Sequence, residues 1–198
     1  NDFSRYINNG VRKPEDVLRD SLQWKAQRID TVKMNDIYYV NSGCFGIDAA
    51  IANHVHDVVN VPFVPESKSY ILSIIRNIKT YDFNYVTIKS ENHILYEGRV
   101  TLCAINNGHY YGGGFEITPH ASLTDGYLDM VILEKIHKFN APYYIHHILT
   151  RTLSQIKKTH TYKVQACDVY CHCSGNFDGE EILSDHYHFE INAGSLSL

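Results

Sequence analysis

"YDFNYVTIKSENHILYEGRVTLCAINNG", residues 81–108, decides the fold. Phe83, Tyr85 and Thr87 fall on one side of its first segment and Asn84, Val86 and Ile88 on the other, the period of two that an extended chain imposes. "SENH" then supplies turn residues and "ILYEGRVTLCAIN" runs back in the same strand grammar, so the spacing predicts an antiparallel hairpin. "GYLDMVILE" (126–134), "TYKVQACDVYCHC" (161–173) and "HYHFEINAG" (186–194) read as further strands. Helical patterns are fewer. They cover Pro14–Trp24, about Asp48–Val58, Glu66–Lys79 with Ile71, Ile74, Ile75 and Ile78 as one apolar stripe, and Asn140–Lys157. In the last, Asn140 is the expected cap, Pro142 suits the first turn, and Ile145, Ile148, Leu149, Thr152 and Ile156 share a face. The expected class is α+β, an antiparallel β-sandwich-like lobe with several flanking helices.

The 198 residues suffice for one domain with a real core, and no repeat, low-complexity tract or linker divides residues 1–198. A net charge of −4 lacks the basic excess of a nucleic-acid binder, so no nucleic-acid partner is expected. No apolar run approaches a bilayer-spanning length, and nothing reads as a signal peptide. Five cysteines without a framework of spacings point to thiols rather than structural disulfides, hence to a cytoplasmic protein.

Three stretches offer chemistry. "CDVYCHCSGNFDGEE" (167–181) invites a zinc reading, but on a strand Cys171 and Cys173 share one face while His172 takes the other, and no second Cys-x-x-Cys pair exists. A Cys/His zinc module that recruits His186 and His188 stays as an alternative, as does a non-catalytic β-sandwich binding module. The same stretch ends in Asp178-Gly179-Glu180, either a tight hairpin turn or two carboxylates set beside a ligand. "NNGHYYGGGFEITPHASLTDGYLDMVIL" (106–133) holds four of the twelve glycines within seven residues, a sign of close backbone approach, without a following helix to complete a phosphate loop. Its Asp125, with neighbouring carbonyls, is the kind of oxygen donor that magnesium or calcium takes. "NSGCFGIDAAIANH" (41–54) reads as a strand that ends at a glycine turn into a helix capped near Asp48.

Taken in order, these pieces resemble the soluble diacylglycerol kinase and lipid kinase family, which includes sphingosine and ceramide kinases. "NDFSR" is similar to the end of its Gly-Thr-x-Asn-Asp-Phe-Ala-Arg motif, and "QRIDTVKMNDIYYVNSGCFGIDAAI" to its Asn…Gly-Phe-Asp-Ala segment. "NGHYYGGGFEITPHASLTDGYLDMVIL" is similar to its triple-glycine and Asp-Gly-x-Leu-Asp block, and "FDGE" to its near-C-terminal Asp-Gly-Glu. The family's Gly-Gly-Asp-Gly-Thr nucleotide motif does not occur, so the resemblance implies the C-terminal, β-rich lobe, with the N-terminal nucleotide-binding lobe as its missing partner and an inactive fragment when alone.

For chemistry, the resemblance implies transfer of the γ-phosphate of ATP to a hydroxyl of diacylglycerol or a related lipid, with Mg2+ as cofactor. Glu180 would be the general base and Asp178 its neighbour, engaging magnesium or orienting the nucleophile. Asp2 is similar to a family residue near the magnesium–ATP site, and Asn1 caps the helix that carries it. In some bacterial members the loop similar to "ASLTDGY" holds a structural magnesium, which carries over to Ser122, Asp125 and Tyr127. The cysteines of "CHCSGN" and His120 depart from the family pattern. Expected partners are a lipid at the membrane surface, met peripherally, and a second copy of the chain through exposed strands.

Overall fold

The computed structural model describes residues 2–7, 13–22, 25–53, 81–112 and 114–198. Two short helices come first, α1 (Asp2–Ile7) and α2 (Pro14–Ser21), the latter with proline in its first turn as expected. Strands β1 (Arg28–Met34), β2 (Ile37–Tyr39) and β3 (Ser42–Gly46) lead into α3 (Ile47–Asn53). After them come β4 (Tyr85–Ser90), β5 (His93–Asn106), the two-residue strands β6 (Tyr110–Tyr111) and β7 (Phe115–Glu116), and β8 (Leu128–Glu134). Helix α4 (Ala141–Leu149) and β9 (Thr159–Val164), β10 (Ala166–Phe177) and β11 (Glu180–Ser197) complete the chain.

The hairpin of residues 81–108 forms, with Tyr85 opposite Arg99 and Ser90 opposite His93. It belongs to one antiparallel nine-stranded sheet of order β2-β1-β11-β10-β3-β5-β8-β9. β4 lies off that path and pairs with both β10 and β5, as β3 does further along the same two strands. Two long strands bridged at both ends make the sheet curl on itself. Its concave side encloses one core, in which Phe45, Phe177, Tyr187 and Phe189 are buried with Met130, Ile132 and Ile105.

Strand alternation builds a second core on the outer side. Leu102 and Ala104 of β5, Val131 and Leu133 of β8 and Cys44 of β3 face away from the first core and meet α3 and α4 through Ile47, Ile51, Ala141 and Tyr144. This is the sandwich-like α+β lobe of the sequence reading, although its two layers are one folded sheet and a helical cover. Gly46 is indispensable to the join: at φ +114° a Cβ would lie 2.5 Å from the Thr101 carbonyl.

Several expectations need correction. The helix expected over Asn140–Lys157 stops at Leu149, because the Thr150 hydroxyl bonds back to the His146 carbonyl and Thr152 to the His147 ring, while Arg151 turns to φ 59°. Asn140 makes no side-chain cap, since it closes a 3₁₀ turn, Lys138–Asn140, that precedes the helix. "TYKVQACDVYCHC" is two strands broken at Gln165. Cys171 and Cys173 are disulfide-bonded rather than free: an irregularity in the register with β11 lies between Tyr170 and Cys173, and the two Cα atoms stand 5.5 Å apart. Cys44, Cys103 and Cys167 are buried thiols. The expected helix Glu66–Lys79, the end of the one begun at Asp48, and Asn1 lie outside the described residues. No helix among the described residues is long and apolar enough to cross a membrane.

Candidate active site

The β10–β11 turn is built from two residues, both at positive φ: Asp178 at 49° and Gly179 at 105°, with Phe177 paired to Glu180. Asp-Gly is suited to this geometry, since aspartate tolerates the left-handed region and glycine is unhindered there. The turn is also anchored. Asp178 accepts hydrogen bonds from the amides of Val40 (2.7 Å), Asn41 (3.1 Å) and Ser42 (2.8 Å), three consecutive N–H groups of the β2–β3 connection. Its own amide donates to the Ser42 carbonyl at 2.9 Å. Both carboxylate oxygens of Asp178 are therefore engaged with backbone, and the turn is fixed to the start of β3. Glu180, the next residue but one, is exposed, and its side chain makes no hydrogen bond or ion pair among the described residues. Of the two carboxylates read from the sequence, one holds the turn and the other faces solvent from it.

The same connection reaches the glycine-rich segment. The Asn41 carbonyl accepts from the Asn107 and Gly108 amides, and its side-chain amide donates to Tyr110 O at 2.8 Å. A Cβ on Gly108 would stand 2.1 Å from Asn41 Oδ1, which explains the glycine. Asn107 donates to Asp30 O and Val40 O, and its own Oδ1 is buried with no partner among the described residues, as are Oδ1 of Asn41 and of Asn106. α1 rests on this segment through Tyr6, whose ring meets His109 edge-on at 4.5 Å, and through Arg5, whose guanidinium fills the space above Gly114. Asp2 pairs with Arg5 at 3.3 Å and is largely covered. The motif at the start of the chain and the turn that carries Glu180 are thus joined through Asn41 and β6.

The loop over 118–127 is tied to the same region: Asp30 accepts from the Gly126 amide at 2.8 Å and from that of Gly194 at 2.7 Å, and His109 Nε2 lies 2.6 Å from Ala121 O. Its donors do not fit the magnesium expected at Ser122, Asp125 and Tyr127. Asp125 Oδ1 accepts the Tyr127 amide at 3.1 Å and Oδ2 takes the Lys163 ammonium at 2.7 Å. Lys163 is the cross-strand partner of Asp129, 3.5 Å from its Oδ2, and lies over the Tyr127 ring. A dication on Asp125 would meet a fixed positive charge. The hydrogen bond to Asp125 raises the pKa of Lys163, which keeps it charged. The zinc alternative is not supported either. Cys171 and Cys173 face the first core, His172, His186 and His188 face outward, and among the described residues no three His, Cys, Asp or Glu side chains are placed to hold a metal.

The residue that sequence reasoning passed over is Asp48. Between α3, β5, β8 and α4 lies a small apolar pocket of about 50 Å³, walled by Leu102, Phe115, Leu133, Ile145 and Ile148 among others. Asp48, in the first turn of α3, is the carboxylate on its lining and is 3% exposed. Tyr111 donates to Asp48 Oδ2 at 2.6 Å, while Oδ1 has no well-formed hydrogen bond. Burial pushes the carboxyl up to about 7, a rise tempered by the Tyr111 hydroxyl, the Ala49 amide and the Cys44 thiol. An under-satisfied carboxyl in an apolar cleft calls for a polar partner delivered by something otherwise apolar. The signal was present in "FGIDAAI", an aspartate set among apolar residues, but a helix start explains such an aspartate equally well.

Comparison with known proteins agrees with the lobe. A Staphylococcus carnosus (strain TM300) protein named "Putative lipid kinase" is 28% identical over 137 residues, which are 68% of this chain and 42% of that one. Two solved structures from Bacillus anthracis str. Sterne, described as "a putative diacylglycerol kinase" and "a diacylglycerol kinases", superpose on 100% of this chain with TM-scores of 0.71 and 0.72 at 19% and 20% identity. The chain spans 64% of each of those structures and less than half of the Staphylococcus relative. At such identities the structures speak for the fold, and the family is fixed by sequence: residues 41–198 match the profile described as the YegS C-terminal NAD kinase beta sandwich-like domain, and the chain belongs to that family.

Proposed function

We propose that this chain is the acceptor-binding lobe of an ATP-dependent lipid kinase, which transfers the γ-phosphate to a hydroxyl of diacylglycerol or a related lipid. The observation that carries the reading is the apolar cleft with Asp48 on its wall. A pocket so lined suits part of an acyl chain, and the Asp48 carboxyl can hydrogen-bond to a polar group of the lipid other than the reacting hydroxyl. The names borne by the Staphylococcus and Bacillus relatives support the same class.

In the transfer, the lipid hydroxyl oxygen bonds to the γ-phosphorus, the bond to the β–γ bridging oxygen breaks, ADP leaves, and the hydroxyl proton passes to Glu180. An alcohol is too weak an acid to ionise beforehand, so an unpaired carboxylate that accepts the proton as bonding develops is the required base. Asp178 is a positioning residue: three amides hold its carboxylate and with it the turn on which Glu180 rides. ATP with its magnesium supplies the phosphoryl group and neutralises its charge, and Asp2 belongs to the side of the lobe that faces it.

The test is transfer from γ-labelled ATP to diacylglycerol in mixed micelles by the full-length protein. Glu180→Gln is expected to lower kcat by about 10²–10⁴-fold without loss of folding. Ile148→Trp, which fills the cleft, is expected to raise KM for diacylglycerol acceptors, dispersed short-chain ones included. No transfer to diacylglycerol or to a panel of other lipids rejects the function; transfer undiminished in Glu180→Gln keeps the kinase and removes Glu180 as its base.

A further inference from the structure

Helix α4 is covered on one side only. Ala141, Tyr144 and Ile145 are buried against the second core and Ile148 walls the cleft. On the other side Tyr143 and Leu149 are each 54% exposed, and Phe139, in the turn that leads into the helix, is 87% exposed. The uncovered side of this nine-residue helix is amphipathic, with the Tyr143 ring beside the imidazoles of His146 and His147, a composition suited to a lipid boundary. Phe139 stands in the 3₁₀ turn Lys138–Asn140 that leads directly into the helix carrying Tyr143. Their setting is basic. Lys135, Lys138 and Lys158 are exposed beside them, and Lys158 Nζ reaches to within 3.4 Å of Lys135 O. Arg99 joins the group, since its carbonyl accepts the Lys135 amide. The neighbouring carboxylates Asp82 and Glu134 are paired, with Arg99 and His160. This concentration of cations stands on a chain whose net charge is −4. The patch is also continuous with the cleft, because Ile136 and Ala141 line both the cleft and the groove that runs below Phe139.

An aromatic and aliphatic ridge ringed by lysines has the chemistry of an anionic bilayer surface: rings enter the interface and ammonium groups meet lipid phosphates. We propose that the outer side of α4 with the Phe139 turn is the face by which this lobe docks on anionic membrane, with the cleft mouth held at the lipid surface. This rests on the lipid-kinase reading and adds where the enzyme meets its substrate. Exposed rings and lysines beside the helix that walls the cleft would bring the cleft to the lipid surface.

The experiment is co-sedimentation of full-length protein with sucrose-loaded vesicles of phosphatidylcholine alone and with 30 mol% phosphatidylglycerol, on the order of the anionic content of biological leaflets. Wild type is expected to bind the anionic vesicles and to release them at high salt. Phe139→Ser with Leu149→Ser should weaken binding by at least about tenfold to either vesicle, and Lys135→Glu with Lys138→Glu should remove the preference for phosphatidylglycerol. All four positions are exposed, so folding is retained, which circular dichroism verifies. Turnover of a dispersed short-chain diacylglycerol is measured alongside. Retained turnover with lost vesicle binding supports the docking face. Failure of wild type to bind anionic vesicles, equal binding by the variants, or self-association that the Phe139→Ser/Leu149→Ser pair abolishes in place of vesicle binding overturns it. Absence of turnover on the dispersed lipid in wild type falls on the kinase reading instead.

Discussion

Asp48 and Glu180 show how position decides what a carboxylate does. Glu180 stands in water at the end of a turn. Asp48 accepts from Tyr111 in a site closed to solvent, and burial raises its carboxyl from 3.8 to about 7. The folded chain therefore keeps a proton that the unfolded chain has released across that interval, so stability is full below about pH 4 and falls as the pH rises through about 7. Asn in the same place cannot ionise and retains a carbonyl for Tyr111. Asp48→Asn is expected to flatten the pH dependence, gaining about 2–3 kcal/mol relative to wild type between pH 5 and pH 8 in urea unfolding. Parallel pH profiles for the two proteins would mean that Asp48 ionises as freely as a surface aspartate. The aspartate was legible in the sequence only as the first turn of a helix. That it stands on the wall of an apolar cleft depends on strands some fifty to eighty residues further on, and periodicity carries no such information.

Elements whose pattern is local were read correctly, and those that depend on a remote partner were not. β4, β5 and β8 fell within a few residues of where the sequence put them, and β11 extends the expected 186–194 to Glu180–Ser197. The stripe through Ile145, Ile148, Leu149, Thr152 and Ile156 continues past the true end of α4, because the same spacing serves Leu153 and Ile156 in an irregular return to the second core. What stops the helix is Thr150 and Thr152 bonding back and Arg151 swinging to Glu116 at 2.6 Å, a contact with β7 that no local window contains. The loop over 118–127 teaches the same lesson for chemistry. Aspartate and nearby carbonyls suit magnesium, but Lys163 comes from β9, and it already neutralises Asp125 and the half-buried Asp129. Thermal unfolding of wild type is thus expected to be indifferent to EDTA and to millimolar Mg2+. Lys163→Met leaves two carboxylates facing each other and should cost about 1–3 kcal/mol, partly regained when Mg2+ or Ca2+ is added. A wild-type midpoint that drops by several degrees in EDTA would put a metal back in that loop.

For the molecule as a whole, the two cores have different duties. The one inside the curled sheet is closed by Phe45, Phe177, Tyr187 and Phe189, which pack ring against ring. The one under α3 and α4 keeps a small apolar pocket whose lining is mostly buried, with the partly buried Ile148 at its edge. A cleft of this kind makes acceptor binding a completion of packing. Binding to the folded state alone adds RT ln(1 + [L]/Kd), about 2.7 kcal/mol at a hundredfold excess over Kd, which for a chain of this size raises Tm by roughly 5–10 °C. A short-chain diacylglycerol below its micellar concentration should produce that shift in the full-length protein. Phe45→Leu, in the closed core, should lower Tm by several degrees yet leave the ligand-induced rise intact, because it removes packing common to free and bound states. Ile148→Trp should abolish the rise while holding or lifting the unliganded Tm, since the indole occupies the space that the acyl chain would take. The cleft would lose its assignment if the lipid stabilised Ile148→Trp as much as wild type: the acceptor would then sit elsewhere on the lobe, and Asp48 would be a buried acid serving the fold alone.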